Sequence, residues 1–166
     1  MATKTRRPSE AKLRRKNLDA IAMLKADHRQ VEEWFAQFDK THSQSKKQQL
    51  ANNICDALAV HTTIEEEIFY PAFIEATADK DTHHEAVVEH AAAKTLIVGI
   101  QGMTAGDDYF DAKVTVLSDM IKHHVKEEEQ PGGMFTEARK SDMDLRLLGE
   151  QLIARKKVLQ AETKAV

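Results

Sequence analysis

The chain has a single cysteine, Cys55, among 166 residues, so no intramolecular disulfide framework is available to it. Cys55 sits in an apolar stretch of helical character, where a buried free thiol in a reducing compartment is the ordinary explanation. Only six glycines and three prolines are present, too few to punctuate a turn-rich sheet protein, and helix is favoured before any pattern is read. No apolar run approaches the roughly 18 residues needed to span a bilayer, and the basic N-terminus leads into no uninterrupted apolar segment of signal-peptide type. These absences give the expectation of a soluble, cytoplasmic protein without a membrane partner. Aromatics make up 5% of the chain, and none lies among the basic residues near the start, so base stacking has nothing to work with and no nucleic-acid partner is expected.

What is present is an apolar fraction of 42% and a charged fraction of 31%, close to globular averages. Residues 1–16 hold a net charge of +6 and the remainder −9. That split marks residues 1–16 as a basic, solvated N-terminal arm. Four long segments then show helical periodicity. The first, about Leu13 to Lys40, spaces Ile21, Leu24, His28, Val31, Phe35 and Phe38 at alternating threes and fours. After the polar loop Thr41–Ser45, the second runs from about Lys46 to Ala76 with Leu50, Ile54, Leu58, His61, Glu65 and Ile68 on one stripe, and Pro71 should kink it or end its regular part. The third covers about His83 to Met103, and the fourth about Tyr109 to Glu129, where Gln130-Pro131-Gly132-Gly133 stops it. Met134 to about Ala161 reads as one further helix, a cap on the bundle or a homodimer contact. The expectation is an all-α, antiparallel up-down-up-down four-helix bundle over 17–130, crossing at about 20°, with a C-terminal helical extension over 131–166 packing on it.

Of eight histidines, one falls on the inward stripe of each bundle helix: His28, His61, His90 and His124. On the second and fourth helices the next inward position is Glu65 and Glu128. Residues four apart lie side by side on one helical face, so each His-x-x-x-Glu pair can close on one metal position. A buried carboxylate without a partner costs several kcal/mol, and two in one core demand neutralisation, pairing or a metal. Four imidazoles and two carboxylates form an N/O donor set suited to one or two first-row metal ions, with glutamate able to bridge. A lone His-x-x-x-Glu pair arises by chance, as His28 and Glu32 illustrate, since Glu32 falls off the seam. Four histidines on four seams do not have that explanation. The fourth helix allows two registers, His123 with Glu127 or His124 with Glu128, and only the second continues the stripe of Phe110, Val114, Leu117 and Ile121. Glu66, Glu67, Glu127 and Glu129 are read as solvated groups or as carboxylates orienting imidazole N–H bonds. His42, His83 and His84 fall in loops or at helix starts, with His83 in phase with His90.

The pattern His28, His61-x-x-x-Glu65, His90, His124-x-x-x-Glu128, with the contexts Ala26-Asp27-His28, Glu65–Pro71 and His123-His124-Val125, resembles the hemerythrin-like family with the HHE cation-binding domain over about residues 18–160. The resemblance implies two non-haem iron ions with an oxo or hydroxo bridge and carboxylate bridges, meeting a small ligand such as O2, NO or peroxide. Peroxidase-like, catalase-like or NO-related redox activity would fit, as would a non-enzymatic iron or oxygen sensor or an iron-storage module. A zinc-stabilised bundle is the remaining rival. The chain departs from respiratory hemerythrins at Ala86, where those carry a further histidine; this points to a more open iron. It departs again at Gln130–Thr136, where relatives tend to continue the helix.

Overall fold

The computed structural model describes residues 19–165, so the basic arm expected over 1–16 lies outside the described residues. The first helix, α1, spans Ala20–Lys40. The part of the expected first segment before Asp19 lies outside the described residues. At the start of α1 Asp19, in extended backbone, accepts a hydrogen bond from the Ala22 N–H at 2.8 Å and caps the helix. Ser43, Asp79 and Asp144 do the same for α2 (Gln44–Ile64), α4 (Lys80–Gln101) and α7 (Leu145–Lys164). Between α4 and α7 lie α5 (Phe110–Glu129) and α6 (Met134–Lys140).

The regular part of the second helix ends before Pro71, at Ile64. A π-helical turn over Glu65–Phe69 carries α2 into α3 (Tyr70–Thr77), with the Tyr70 N–H donating to the Glu65 carbonyl five residues back. Proline has no N–H and its ring crowds the preceding turn, and the wider π-turn gives way there. The inserted residue also changes the register. Glu65, Phe69 and Tyr70 all face inward, where a regular helix would turn Tyr70 aside.

The four rods, α1, α2 with α3, α4 and α5, pack as a ring in which each touches the next: α1 on α2, α2 on α4, α4 on α5 and α5 on α1. Described residues form an all-helical fold of the four-helix-bundle type. The expected single C-terminal helix is divided. Residues 141–144 break it, since the Ser141 hydroxyl bonds the Ala138 carbonyl at 2.7 Å and Asp144 caps the next helix. Of the two pieces, α6 packs on α5 and α3, while α7 packs along α1, α2 and the π-turn. No helix among the described residues is long and apolar enough to cross a membrane.

Two apolar clusters fill the interior. Val31, Phe35, Leu50, Ile54, Ile97 and Phe110 belong to the one toward the Thr41 loop, and Ile21, Leu24, Ile64, Phe69, Phe73 and Phe135 to the one toward α6 and α7. The inward histidines and glutamates lie along each helix at the boundary between these clusters. Cys55 is buried in the first, and burial, reinforced by the charge of Asp56, pushes its thiol up to about 12. The thiolate is the reactive species. Cys55 should therefore fail to react with a disulfide reagent at pH 8 in the native protein and react fully in denaturant, as absorbance of the released thiolate would record.

Candidate metal centre

Helical spacing delivers all six inward polar residues to one level of the bundle. His28 comes from α1, His61 and Glu65 from α2 and its π-turn, His90 from α4, and His124 and Glu128 from α5; all six are buried. On α5 the second register holds: His124 and Glu128 face the interior, whereas His123 is 60% exposed and Glu127 turns outward to accept from Gln130 at 3.0 Å.

The six divide into two facing donor sets. His28 Nε2 and His61 Nε2 lie 3.1 Å apart, with Glu65 Oε1 3.3 Å from His61 and Glu128 Oε2 3.4 Å from His28. His90 Nε2 and His124 Nε2 are likewise 3.1 Å apart, with Glu65 Oε2 3.3 Å from His90 and Glu128 Oε1 3.3 Å from His124. Each carboxylate thus spans the two histidine pairs, one oxygen to each.

Every imidazole is held from behind. The Nδ1 of His28 meets Glu129 at 2.7 Å, that of His61 meets Asp27 at 3.3 Å, that of His90 meets Glu66 at 3.0 Å, and that of His124 meets Glu89 at 2.6 Å. Each of these carboxylates has an outer basic partner as well: Arg29 on Glu129, Lys156 on Asp27, Lys94 on Glu66 and His123 on Glu89. A carboxylate accepts, so each Nδ1–H donates outward and each Nε2 lone pair is left pointing in. Of the four acidic groups read as flanking, Glu66 and Glu129 take this role; Glu67 pairs instead with Arg155 and Glu127 with Gln130. Asp27 and Glu89 were not singled out by spacing. Glu66→Gln should lower metal affinity by about 10- to 100-fold with the fold intact, measured by competition with a chromophoric chelator.

Lone pairs 3.1 Å apart repel unless a proton or a metal ion lies between them. Protons can partly serve. Burial lowers the pKa of His61, but Glu65 and Asp27 outweigh it and raise the group to about 10, while burial acting to raise Glu65 is overcome by His61 and His90, which hold it well below the usual carboxylate range. His124 is raised in the same way, with Glu128 overcoming its burial. Even so, Glu65 Oε1 and Glu128 Oε2 are buried without a hydrogen-bond partner. Both lie in the His28–His61 set. Metal–nitrogen bonds of about 2.0–2.1 Å at tetrahedral or octahedral angles put neighbouring donors about 3–3.4 Å apart, the spacing the nitrogens and carboxylates have here. The residues fit a bound cation.

Tyr70 is the residue at the donor sets that spacing missed. Its hydroxyl donates to Glu128 Oε1 at 3.1 Å, lies 3.1 Å from His90 Nε2 and approaches Glu65 Oε2 at 3.5 Å. Burial, then the charges of Glu65 and Glu128, push the phenol far above its ordinary value, so without a cation it stays protonated. Pro71 was the available signal, since relief of a proline inside a helix is what rotates Tyr70 inward. Elsewhere, His83 packs edge-on against the Tyr70 ring at 5.8 Å without joining the donor sets, and Glu32 pairs with Arg29 on the surface.

With this geometry in view, comparison with known proteins decides the family. The hemerythrin HHE cation binding domain matches residues 19–131. The chain belongs to the hemerythrin HHE cation-binding family. A crystal structure of a hemerythrin HHE cation binding domain-containing protein from Mycobacterium kansasii superposes with a TM-score of 0.71 at 20% identity, covering 87% of this chain and 89% of that one. A DNA nickase from a Nostoc species is 27% identical over 107 residues, which is 64% of this chain. The match spans 30% of the nickase's length.

Membership in this family assigns cation binding to the chain and makes its two departures from the respiratory pattern informative. Ala86 stands where the respiratory pattern has a further histidine, and the Tyr70 hydroxyl lies 3.1 Å from His90 Nε2 on the same side. The break after Glu129 has a use. With Gly132 at a φ of 80°, the chain turns so that Phe135 lies parallel to the His28 ring at 5.8 Å and closes the His28–His61 set with an apolar face.

Proposed function

We propose that this HHE domain holds two iron ions, one at His28 and His61 and the other at His90, His124 and Tyr70, with Glu65 and Glu128 shared between them. The observation that carries the reading is the pair of facing donor sets whose buried carboxylate oxygens, Glu65 Oε1 and Glu128 Oε2, lack a hydrogen-bond partner and face only imidazole nitrogens. The donors are nitrogen and oxygen throughout, and Cys55, the one thiol, belongs to a separate apolar cluster, a set that favours iron over a thiolate-seeking metal. Iron in this position supplies one-electron redox steps and an exchangeable coordination position for O2, NO or peroxide.

The chain's own residues do the rest. Asp27, Glu66, Glu89 and Glu129 fix the imidazoles so that no reorganisation is needed when a ligand arrives. Phe135 and Phe69, packed edge to face at 5.7 Å, keep bulk water from the His28 side. Tyr70 can hold a proton at its hydroxyl oxygen or release it when the local charge becomes positive. Adding O2, NO or hydrogen peroxide to the reduced iron-loaded protein distinguishes the outcomes. Consumption of many equivalents per chain of at least one of the three supports a redox enzyme, whereas consumption that stops at one equivalent supports a sensor or store.

The sensor reading draws on one observation of its own. Lys156 of α7 pairs with Asp27, which in turn holds His61, so the C-terminal helix is joined to the donor set through two contacts. Occupancy at His61 would then stabilise the docking of α7.

A further inference from the structure

The six donors are almost wholly buried between two apolar clusters, so a cation needs a way in. A cavity of about 90 Å³ lies where α4, α5 and the Gln130–Gly133 break meet, and His124 and Glu128 line it directly. Its walls are low for a specific reason. Ala86 presents only a methyl group, and Gly132 and Gly133 present none; a Cβ at Gly133 would fall 2.3 Å from the Glu127 carbonyl oxygen. Glu85, Glu89 and Glu127 also line the space, and among the described residues no lysine or arginine does. Below them lies Glu128, buried, with its Oε2 lacking any hydrogen-bond partner.

We propose that this cavity is the loading port through which a divalent cation reaches the donor sets, with Glu85 and Glu127 steering it and Ala86 keeping the passage clear. The proposal rests on the metal reading given above. Carboxylates at the mouth of a low-dielectric cleft concentrate cations and raise their on-rate by about 10- to 1000-fold, an effect that salt screens. Oxygen donors of this kind also suit stepwise exchange of a hard cation's water shell. The same charges repel anions, and an uncharged oxidant feels no such steering, so the chemistry of the lining selects a cation.

The test is cobalt(II) uptake by the metal-stripped full-length chain, followed by absorbance at low and high salt, with circular dichroism reporting the fold. A Glu85→Gln/Glu127→Gln double variant should load about tenfold more slowly at low salt, converge on wild type at high salt, and reach the same final stoichiometry. Ala86→Leu, which narrows the passage, should slow uptake at every salt concentration and slow chelator-driven release from the loaded protein equally. Glu150→Gln, on the exposed face of α7, should change nothing. Wild-type rates in both port variants, in uptake and in release, overturn the port while leaving the metal reading standing. Failure of the wild-type chain to bind cobalt refutes the metal reading itself.

Discussion

His61→Ala and Glu128→Ala should each purify with well under half the metal of the wild-type chain, while His42→Ala keeps all of it. His61 supplies one of only two imidazoles in its donor set. Glu128 is placed more critically, because its two oxygens serve opposite sets and its loss removes a donor from both. Removal of a group that merely orients a ligand costs about 10- to 100-fold in affinity, and loss of the ligand itself should exceed that. His42, exposed in the loop before α2, touches neither set. Elemental analysis after gel filtration reads the difference. A second consequence follows from linkage, since a ligand present at a thousand times its Kd stabilises the folded state by about 4 kcal/mol. Wild-type protein should therefore melt at a markedly higher temperature with metal than without, and both alanine variants should lose most of that increment. Equal metal in all three variants would remove these residues from the ligand set.

Tyr70→Phe should keep two metal ions per chain yet change the colour of the ferric protein. A phenol pushed far above its ordinary pKa by burial and by two carboxylates remains protonated in the metal-free chain. A bound cation would reverse the sign of the local field, and a hydroxyl this close to His90 Nε2 and Glu128 Oε1 would then serve as an anionic donor. Phenolate bound to ferric iron absorbs visible light by charge transfer, and phenylalanine cannot. The wild-type spectrum should contain such a band and the variant should lack it. Identical spectra would mean that Tyr70 remains a phenol, acting only as a hydrogen-bond donor to Glu128.

The fold and the inward placement of the six histidines and glutamates were legible because they rest on one regularity, the recurrence of apolar and imidazole side chains on a single helical stripe. The departures share the opposite property. Tyr70 lies five residues after Glu65, a spacing that faces inward only because Pro71 is accommodated by a π-turn. Asp27 and Glu89 each sit beside a histidine in sequence but serve another helix, Asp27 holding His61 and Glu89 holding His124, and no periodicity within one helix reports a partner on the next. The break at residues 141–144 was set by side-chain hydrogen bonds of Ser141 and Asp144, which compete with the apolar pattern locally and leave it undisturbed elsewhere. Phe135 closes the His28 side through a glycine turn whose direction only the three-dimensional chain fixes.

Metal content of the anaerobically purified chain, taken with its absorption spectrum before and after oxidation, bears most directly on the centre. Two iron ions per chain, with visible absorption that appears on oxidation, is the result expected from two facing donor sets that share Glu65 and Glu128. A chain that carries no metal, or a single colourless ion, would contradict it.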